Sequence, residues 1–160
     1  MKRVPMTGYR AMHVIRMRAN DVQKLTYSDE EILADINSAI RYLSAFLIKR
    51  RSPEMIHKKI VYDYMALPEG FHSLVGQNPA WVEDGTFRTY SGKDALVPVR
   101  YFCTRTPLAS LTDAIPFPDD YFDVIVETAL SLLKSSDEYD VSAETEIFDR
   151  MAKMLPGDVS

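Results

Sequence analysis

Residues 27–49 read Tyr27-Ser28-Asp29-Glu30-Glu31-Ile32-Leu33-Ala34-Asp35-Ile36-Asn37-Ser38-Ala39-Ile40-Arg41-Tyr42-Leu43-Ser44-Ala45-Phe46-Leu47-Ile48-Lys49, and this stretch carries its own start, length and buried face. Ser28 is a favoured helix N-cap, and Glu31 three residues on completes a capping box. Tyr27 before the cap and Ile32 after it are placed to close a hydrophobic staple. Asp29, Glu30 and Glu31 put acid in the first turn, while Lys49, Arg50 and Arg51 crowd the end with base, as the helix macrodipole favours. Ile32, Leu33, Ile36, Ile40, Leu43, Phe46 and Leu47 recur at three- and four-residue steps and predict one apolar face. A helix of ~20 residues is ~30 Å long, the spine of a small domain.

On the N-terminal side, residues 1–26 read as a loose arm, broken at Pro5 and Gly8, followed by a short helix over 9–18. That helix turns Met12 and Ile15 inward and stops at Asn20-Asp21. On the other side, Arg51-Ser52-Pro53 ends the spine, because the residue before proline is pushed out of helical angles. From Lys58 the period changes to two: Ile60, Tyr62 and Tyr64 alternate with Val61, Asp63 and Met65, which predicts a strand.

Leu67-Pro68-Glu69-Gly70-Phe71 is a turn, and short strands are expected over 72–75, 81–82 and 86–90, with Asp84-Gly85 as a hairpin signal. Ser91-Gly92-Lys93-Asp94 turns the chain again before a strand over 96–104, in which Pro98 suggests an edge or a bulge. The span 58–106 therefore reads as a small antiparallel sheet built from consecutive short connections.

Residues 118–155 return to helical spacing. Pro118 stands where a first-turn proline is preferred, with Asp119 and Asp120 beside it. Val124, Ile125 and Leu132 belong to a wide apolar face; after a break at 135–140 and a cap at Ser142, Phe148 and Met151 lie on a final stripe that ends at Pro156-Gly157. The expected fold is mainly α with inserted β (α+β). About four helices form a bundle in a single domain over 1–158, and the sheet is inserted between its two helical halves. The candidate core is Ile32, Ile36, Ile40, Leu43, Phe46, Val124, Ile125, Leu132, Phe148 and Met151.

With 160 residues the chain can bury a sizeable core without metal or disulfide. The lone Cys103 fits a reducing compartment, and no apolar run reaches the ~20 residues of a membrane span. A net charge of −4 argues against a dedicated nucleic-acid binder. The charge is unevenly spread: base dominates before Thr26 and acid after Ala109, which suits either head-to-tail attraction between copies or neutralisation within one fold. His13, His57 and His72 are scattered outside any motif, and no glycine-rich phosphate loop is present. Asp119, Asp120 and Asp123 resemble an ion-holding cluster but have a sufficient task at a helix start. No catalytic constellation emerges, and no cofactor or metal is expected. Lys49, Arg50, Arg51, Lys58 and Lys59 are the best candidates for contact with a polyanion, so the alternative function is a small nucleic-acid-binding or regulatory module that uses them.

Taken in order, several segments resemble one family. They are the helix start Tyr27-Ser28-Asp29-Glu30-Glu31-Ile32-Leu33 with Ile36-Asn37-Ser38-Ala39, the turn Leu67-Pro68-Glu69-Gly70-Phe71, the strand Arg100-Tyr101-Phe102 ending in Thr106-Pro107, Leu111-Thr112-Asp113, and Pro116-Phe117-Pro118-Asp119-Asp120-Tyr121. This order is similar to that of the head–tail adaptor (connector, or neck) proteins of tailed bacteriophages. The resemblance implies a structural virion protein with no enzymatic activity, assembled in the host cytoplasm. Its copies would form a homo-oligomeric ring, commonly twelvefold, that docks on the portal protein and receives tail or neck proteins. The same resemblance implies non-specific passage of DNA along a basic edge, and no membrane partner.

Overall fold

The computed structural model describes residues 6–135 and 142–155. The chain divides into two compact units, Leu47–Arg105 and the remainder, Met1–Phe46 with Thr106–Ser160. Among the described residues the architecture is α+β, with four helices and a small antiparallel β region inserted between the second and third.

The helical unit begins with α1 (Gly8–Arg18), which is capped by Thr7, whose Oγ1 accepts the Arg10 N–H at 3.3 Å. It ends where Asn20 enters the left-handed region at φ 58°; the Asp21 N–H reaches Arg16 O at 2.8 Å and the Asn20 N–H reaches Met17 O at 3.2 Å. That pair of bonds satisfies carbonyls otherwise left open at a helix end. Met6 to Gly8 are not loose. The Gly8 and Tyr9 amides donate to Asp113 O and Leu111 O, and Ile115 N–H donates to Met6 O, so the connector after the sheet ties this segment down. A Cβ on Gly8 would stand 3.0 Å from Leu111 backbone atoms, so the close approach depends on glycine.

The spine forms as α2 (Asp29–Lys49), and Ser28 Oγ accepts the Glu31 N–H at 3.1 Å. Ile32, Ile36, Ile40 and Leu43 are completely buried, and Val124, Ile125 and Met151 are nearly so. Asn37 does what its place beside the apolar face demands: its side-chain amide donates to Leu108 O at 3.0 Å and accepts the Leu108 N–H at 2.8 Å. Both backbone groups of the buried Leu108 are thereby satisfied.

After a 3₁₀ turn at Asp119–Tyr121 comes α3 (Phe122–Lys134), so Pro118 precedes the turn and is not a helical residue. The break after Lys134 falls partly at 136–141, outside the described residues, and α4 (Ser142–Met154) follows. The expected stop at Pro156-Gly157 also lies outside them. Two core expectations are corrected, since Leu132 and Phe148 are only half-buried. On α3 the inner positions go to Leu130 and Leu133, which turns Leu132 partly outward. Phe148 lies over Phe46 at 6.1 Å and edge-on to Tyr42 at 6.1 Å, leaving one side open.

The β unit opens with the last turn of α2, closed by Arg51 at φ 57° with Arg51 N–H to Ile48 O and Ser52 N–H to Leu47 O. Its strands are β1 (Ile56–Val61), β2 (Phe71–Leu74), β3 (Ala80–Glu83), β4 (Thr86–Thr89) and β5 (Val97–Cys103). The strands form two sheets, a three-stranded one in the order β1-β5-β2 and a β3-β4 hairpin; consecutive pairing was expected, but the last strand lies between the first two. The first strand starts earlier than its alternation suggested and stops at Val61. Beyond it, Tyr64 takes φ 69° and residues 64–67 run beside β4, with Tyr64 N–H bonded to Phe87 O and Phe87 N–H to Met65 O. Both sheets share one core of Val61, Ala80, Phe87, Val97, Val99, Tyr101 and Cys103.

Pro98 sits in the central strand, opposite Ile60. It is tolerated because β2 pairs with β5 only from Tyr101 to Cys103, so around Pro98 the strand has a partner on one side alone. Asp84 (φ 49°) and Gly85 (φ 74°) form the expected two-residue hairpin turn.

Gly70 is at φ 82°, and a Cβ there would stand 2.6 Å from Thr104 Oγ1, whereas one on Gly76 (φ 68°) would meet nothing within 4 Å. Gly76→Ala is expected to lose roughly 1–2 kcal/mol from left-handed strain. Gly70→Ala adds a clash, so urea unfolding should show a distinctly larger loss. Equal losses would mean that Thr104 moves aside freely.

Candidate interaction surfaces

The β1–β5 register sorts the basic residues. Lys58 stands opposite Arg100 and Ile60 opposite Pro98 on one face, while Lys59 stands opposite Val99 and Val61 opposite Val97 on the face that meets the core. The neighbours Lys58 and Lys59 therefore point to opposite sides, and Lys59 is half-buried. Arg51 lies at the other end of the Lys58 face, its guanidinium 5.4 Å over the ring of Phe102, which is paired with Ile56 and buried, so the face is open at Lys58, Ile60, Pro98 and Arg100 and not along its whole length. Lys49 and Arg50 are exposed at the end of α2. Arg100 belongs to the basic face and does not stand out in sequence, where it follows Val-Pro-Val and precedes two aromatics. Only the strand register brings it opposite Lys58.

Charge is segregated between the units. Leu47–Arg105 holds nine basic and six acidic residues, net +3; the remainder holds ten and seventeen, net −7. Part of the end-to-end asymmetry is neutralised inside the helical unit, where Arg18 on α1 pairs with Asp123 at 3.0 Å and with Glu127 on α3. That pairing gives Asp123 a structural partner.

A second surface lies on the hairpin. The Arg88 guanidinium lies 3.9 Å over the Tyr64 ring and 5.7 Å over that of Trp81, whose ring meets Tyr90 at 4.6 Å. Asp63 Oδ1 accepts from Arg88 Nε at 2.9 Å and from Thr89 N–H at 3.0 Å. The Thr89 amide and then Arg88 hold the Asp63 carboxyl below the usual carboxylate range. Tyr64 and Tyr90 are 58% and 74% exposed, so this braced aromatic cluster presents contact area to solvent. Phe71, Phe87 and Tyr101 pack on one another within the unit.

The groups with reactive potential are scattered. His13 and His72 are exposed; His57 stacks on Tyr101 at 5.8 Å, and burial, then Arg105, lowers its pKa. Burial pushes the Cys103 thiol up, and its S–H donates to Glu69 O at 3.3 Å. Among the described residues no three His, Cys, Asp or Glu side chains are grouped to hold a metal, and no helix is long and apolar enough to cross a membrane. An open groove of about 420 Å³ is lined by Ser38, Arg41, Tyr42, Ala45 and Phe148. Arg41 there donates to Ser38 Oγ, so the groove offers shape with one cation at its rim.

The chain matches no protein-family profile and no curated protein.

Asp35 is the one carboxyl among the described residues that is raised well above its ordinary value. Partial burial and then the charge of Glu31, one helical turn away, push it up to about 6. The folded chain thus keeps this proton to a higher pH than the unfolded chain does, so its effect on stability worsens as pH rises from about 4 to about 6. Asp21, Asp29 and Asp63 act in the opposite sense: each is lowered in the fold, so their stabilisation is present at neutral pH and is lost in strong acid. Asp35→Asn should therefore melt above the parent at pH 7 and level with it at pH 4. A constant difference across that range, followed by thermal circular dichroism, would rule out this account of Asp35.

Proposed function

We propose that this chain is a head–tail adaptor of a tailed bacteriophage. It is a structural virion protein whose copies form a ring, commonly twelvefold, between the portal and the tail or neck proteins, with DNA passing through it. One observation carries this reading: most of the segments that resemble the adaptor family lie at junctions of the fold, while Ile36 to Ala39 and Arg100 to Phe102 lie inside α2 and β5. Ser28 and Glu31 open the spine helix, and Leu67 to Phe71 is the turn whose Gly70 packs on Thr104. Thr106-Pro107 marks the return from the β unit, Leu111 to Asp113 anchors the first helix, and Pro118 to Tyr121 starts α3. The exposed aromatic cluster and the opposite charges of the two units suit a protein that works by contact.

Purified full-length chain, examined by native mass spectrometry and negative-stain electron microscopy alone and with a portal ring of the same phage, is expected to give closed rings in at least one of the two conditions. A chain that stays monomeric in both defeats the proposal.

The outer basic face supports a second reading, a polyanion-binding module. Three phosphate contacts from Arg51, Lys58 and Arg100 would give a log–log salt slope of roughly −3 on duplex DNA. Tight, salt-sensitive DNA binding by a monomer would favour this reading over the ring.

A further inference from the structure

We propose that the outer face of the three-stranded sheet, carrying Lys58 and Arg100, docks on the α2 face carrying Glu31 and Asp35 of a second copy of this chain. This inference rests on the ring reading and names the surfaces that would join neighbours.

Several charged groups that the fold brings together are neutralised within one copy. Arg16 meets Asp21 and Asp29, Arg18 meets Asp123 and Glu127, Arg88 meets Asp63 and Glu83, and Arg105 meets Glu54. Two neighbouring pairs of like charge are not neutralised in this way. Lys58 and Arg100 face each other directly across β1 and β5, both exposed, with no acidic partner among the described residues. Like charges in that position repel. Glu31 and Asp35 stand four residues apart on α2, with no basic partner among the described residues, and Asp35 already lies half-buried. Like charges at that helical spacing repel as well.

The two pairs are opposite in sign and belong to different units, one of net charge +3 and the other −7. A guanidinium such as that of Arg100 presents a fork suited to a carboxylate, and Lys58 supplies a point charge beside it. Apolar area is available around the ions: Ile60 is 57% exposed on the basic face with Pro98 opposite it, and Ala34 is exposed next to Asp35. Two different patches in contact make a heterologous, head-to-tail joint, which closes into a ring when the rotation per copy allows. Docking would relieve both repulsions together and would deepen the burial of Asp35 beside cations that favour its charged form.

Charge reversal tests the joint. Lys58→Glu/Arg100→Glu and Glu31→Lys/Asp35→Lys, each alone, should weaken self-association of the full chain about tenfold or more by sedimentation and native mass spectrometry. An equimolar mixture should recover assembly, in species containing both variants in equal numbers, because every joint then again unites opposite signs. The neutral variants Arg100→Gln and Glu31→Gln/Asp35→Asn, which disturb folding less, should weaken association in the same direction. Association of the parent should fall with added salt, as the screening length shrinks from ~30 Å at 0.01 M to ~3 Å at 1 M.

If the parent forms rings and neither double variant changes them, the joint lies on other surfaces and this inference fails while the ring reading stands. If the parent never associates, alone or on a portal ring, both fail. If Lys58→Glu/Arg100→Glu abolishes DNA binding but leaves association intact, the basic face is a polyanion site and the inference is overturned.

Discussion

The helical unit depends on one buried pair of opposite charges. Arg16 and Asp21 are each 4% exposed, and Arg16 Nη1 donates to Asp21 Oδ2 at 3.0 Å and to Tyr27 O at 3.0 Å. Asp21 in turn accepts the backbone N–H groups of Leu25, Thr26 and Tyr27, all at 3.0 Å. Burial alone would raise its pKa; the three amides and Arg16 outweigh it and hold the carboxyl below its ordinary value. Arg16 Nη2 extends the network to Asp29 at 2.6 Å, in the first turn of the spine. The α1–α2 loop is thus wrapped around a carboxylate, and the exit of one helix is bonded to the entrance of the next. Removing either ion would strand the other in a buried site, which is more costly than never having built the pair.

What the chain disclosed in sequence follows the range of the forces involved. Helix starts depend on neighbours three or four residues away, so Ser28 and Glu31 could be read directly, as could the Asp84-Gly85 turn, where two positive φ angles suit those residue types. Strand order depends on pairings across tens of residues: nothing near Val97 indicates that its strand will lie between β1 and β2, or that Pro98 will find its missing neighbour there. Leu132 and Phe148 mark a further limit. The hydrophobic period assigns a residue to a stripe, but how deep each position lies in the stripe is decided by the partner helix. In sequence Asp21 shows only as a helix breaker, because its three amide donors and its arginine become its surroundings only after the loop closes.

The candidate surfaces divide in the same way. The run Lys49 to Lys59 looked like one basic cluster along the chain, but strand alternation sends Lys59 to the core-facing side and the register recruits Arg100 in its place. The aromatic residues divide too. Phe87, Phe102 and Tyr101 are buried, while Tyr64, Trp81 and Tyr90 gather around Arg88 at the surface. Asp63 fixes the guanidinium between the rings, and a rigid aromatic surface loses little conformational freedom when a partner covers it.

Net charge and the arrangement of charge are separate matters. Solubility asks only for net charge away from zero and tolerates any arrangement of signs. This chain has a net charge of −4, yet that total conceals a basic unit and an acidic one. A repulsive pair of either sign is worth a few tenths to ~1 kcal/mol against the fold, set against a total stability of ~5–15 kcal/mol, so one such pair is unremarkable. Two of opposite sign, on different units, leave the chain with two local repulsions that a single head-to-tail contact of the kind proposed above would remove. Repeated around a closed ring, such a contact would leave no copy with an unmatched face, which an open chain of copies cannot achieve at its ends.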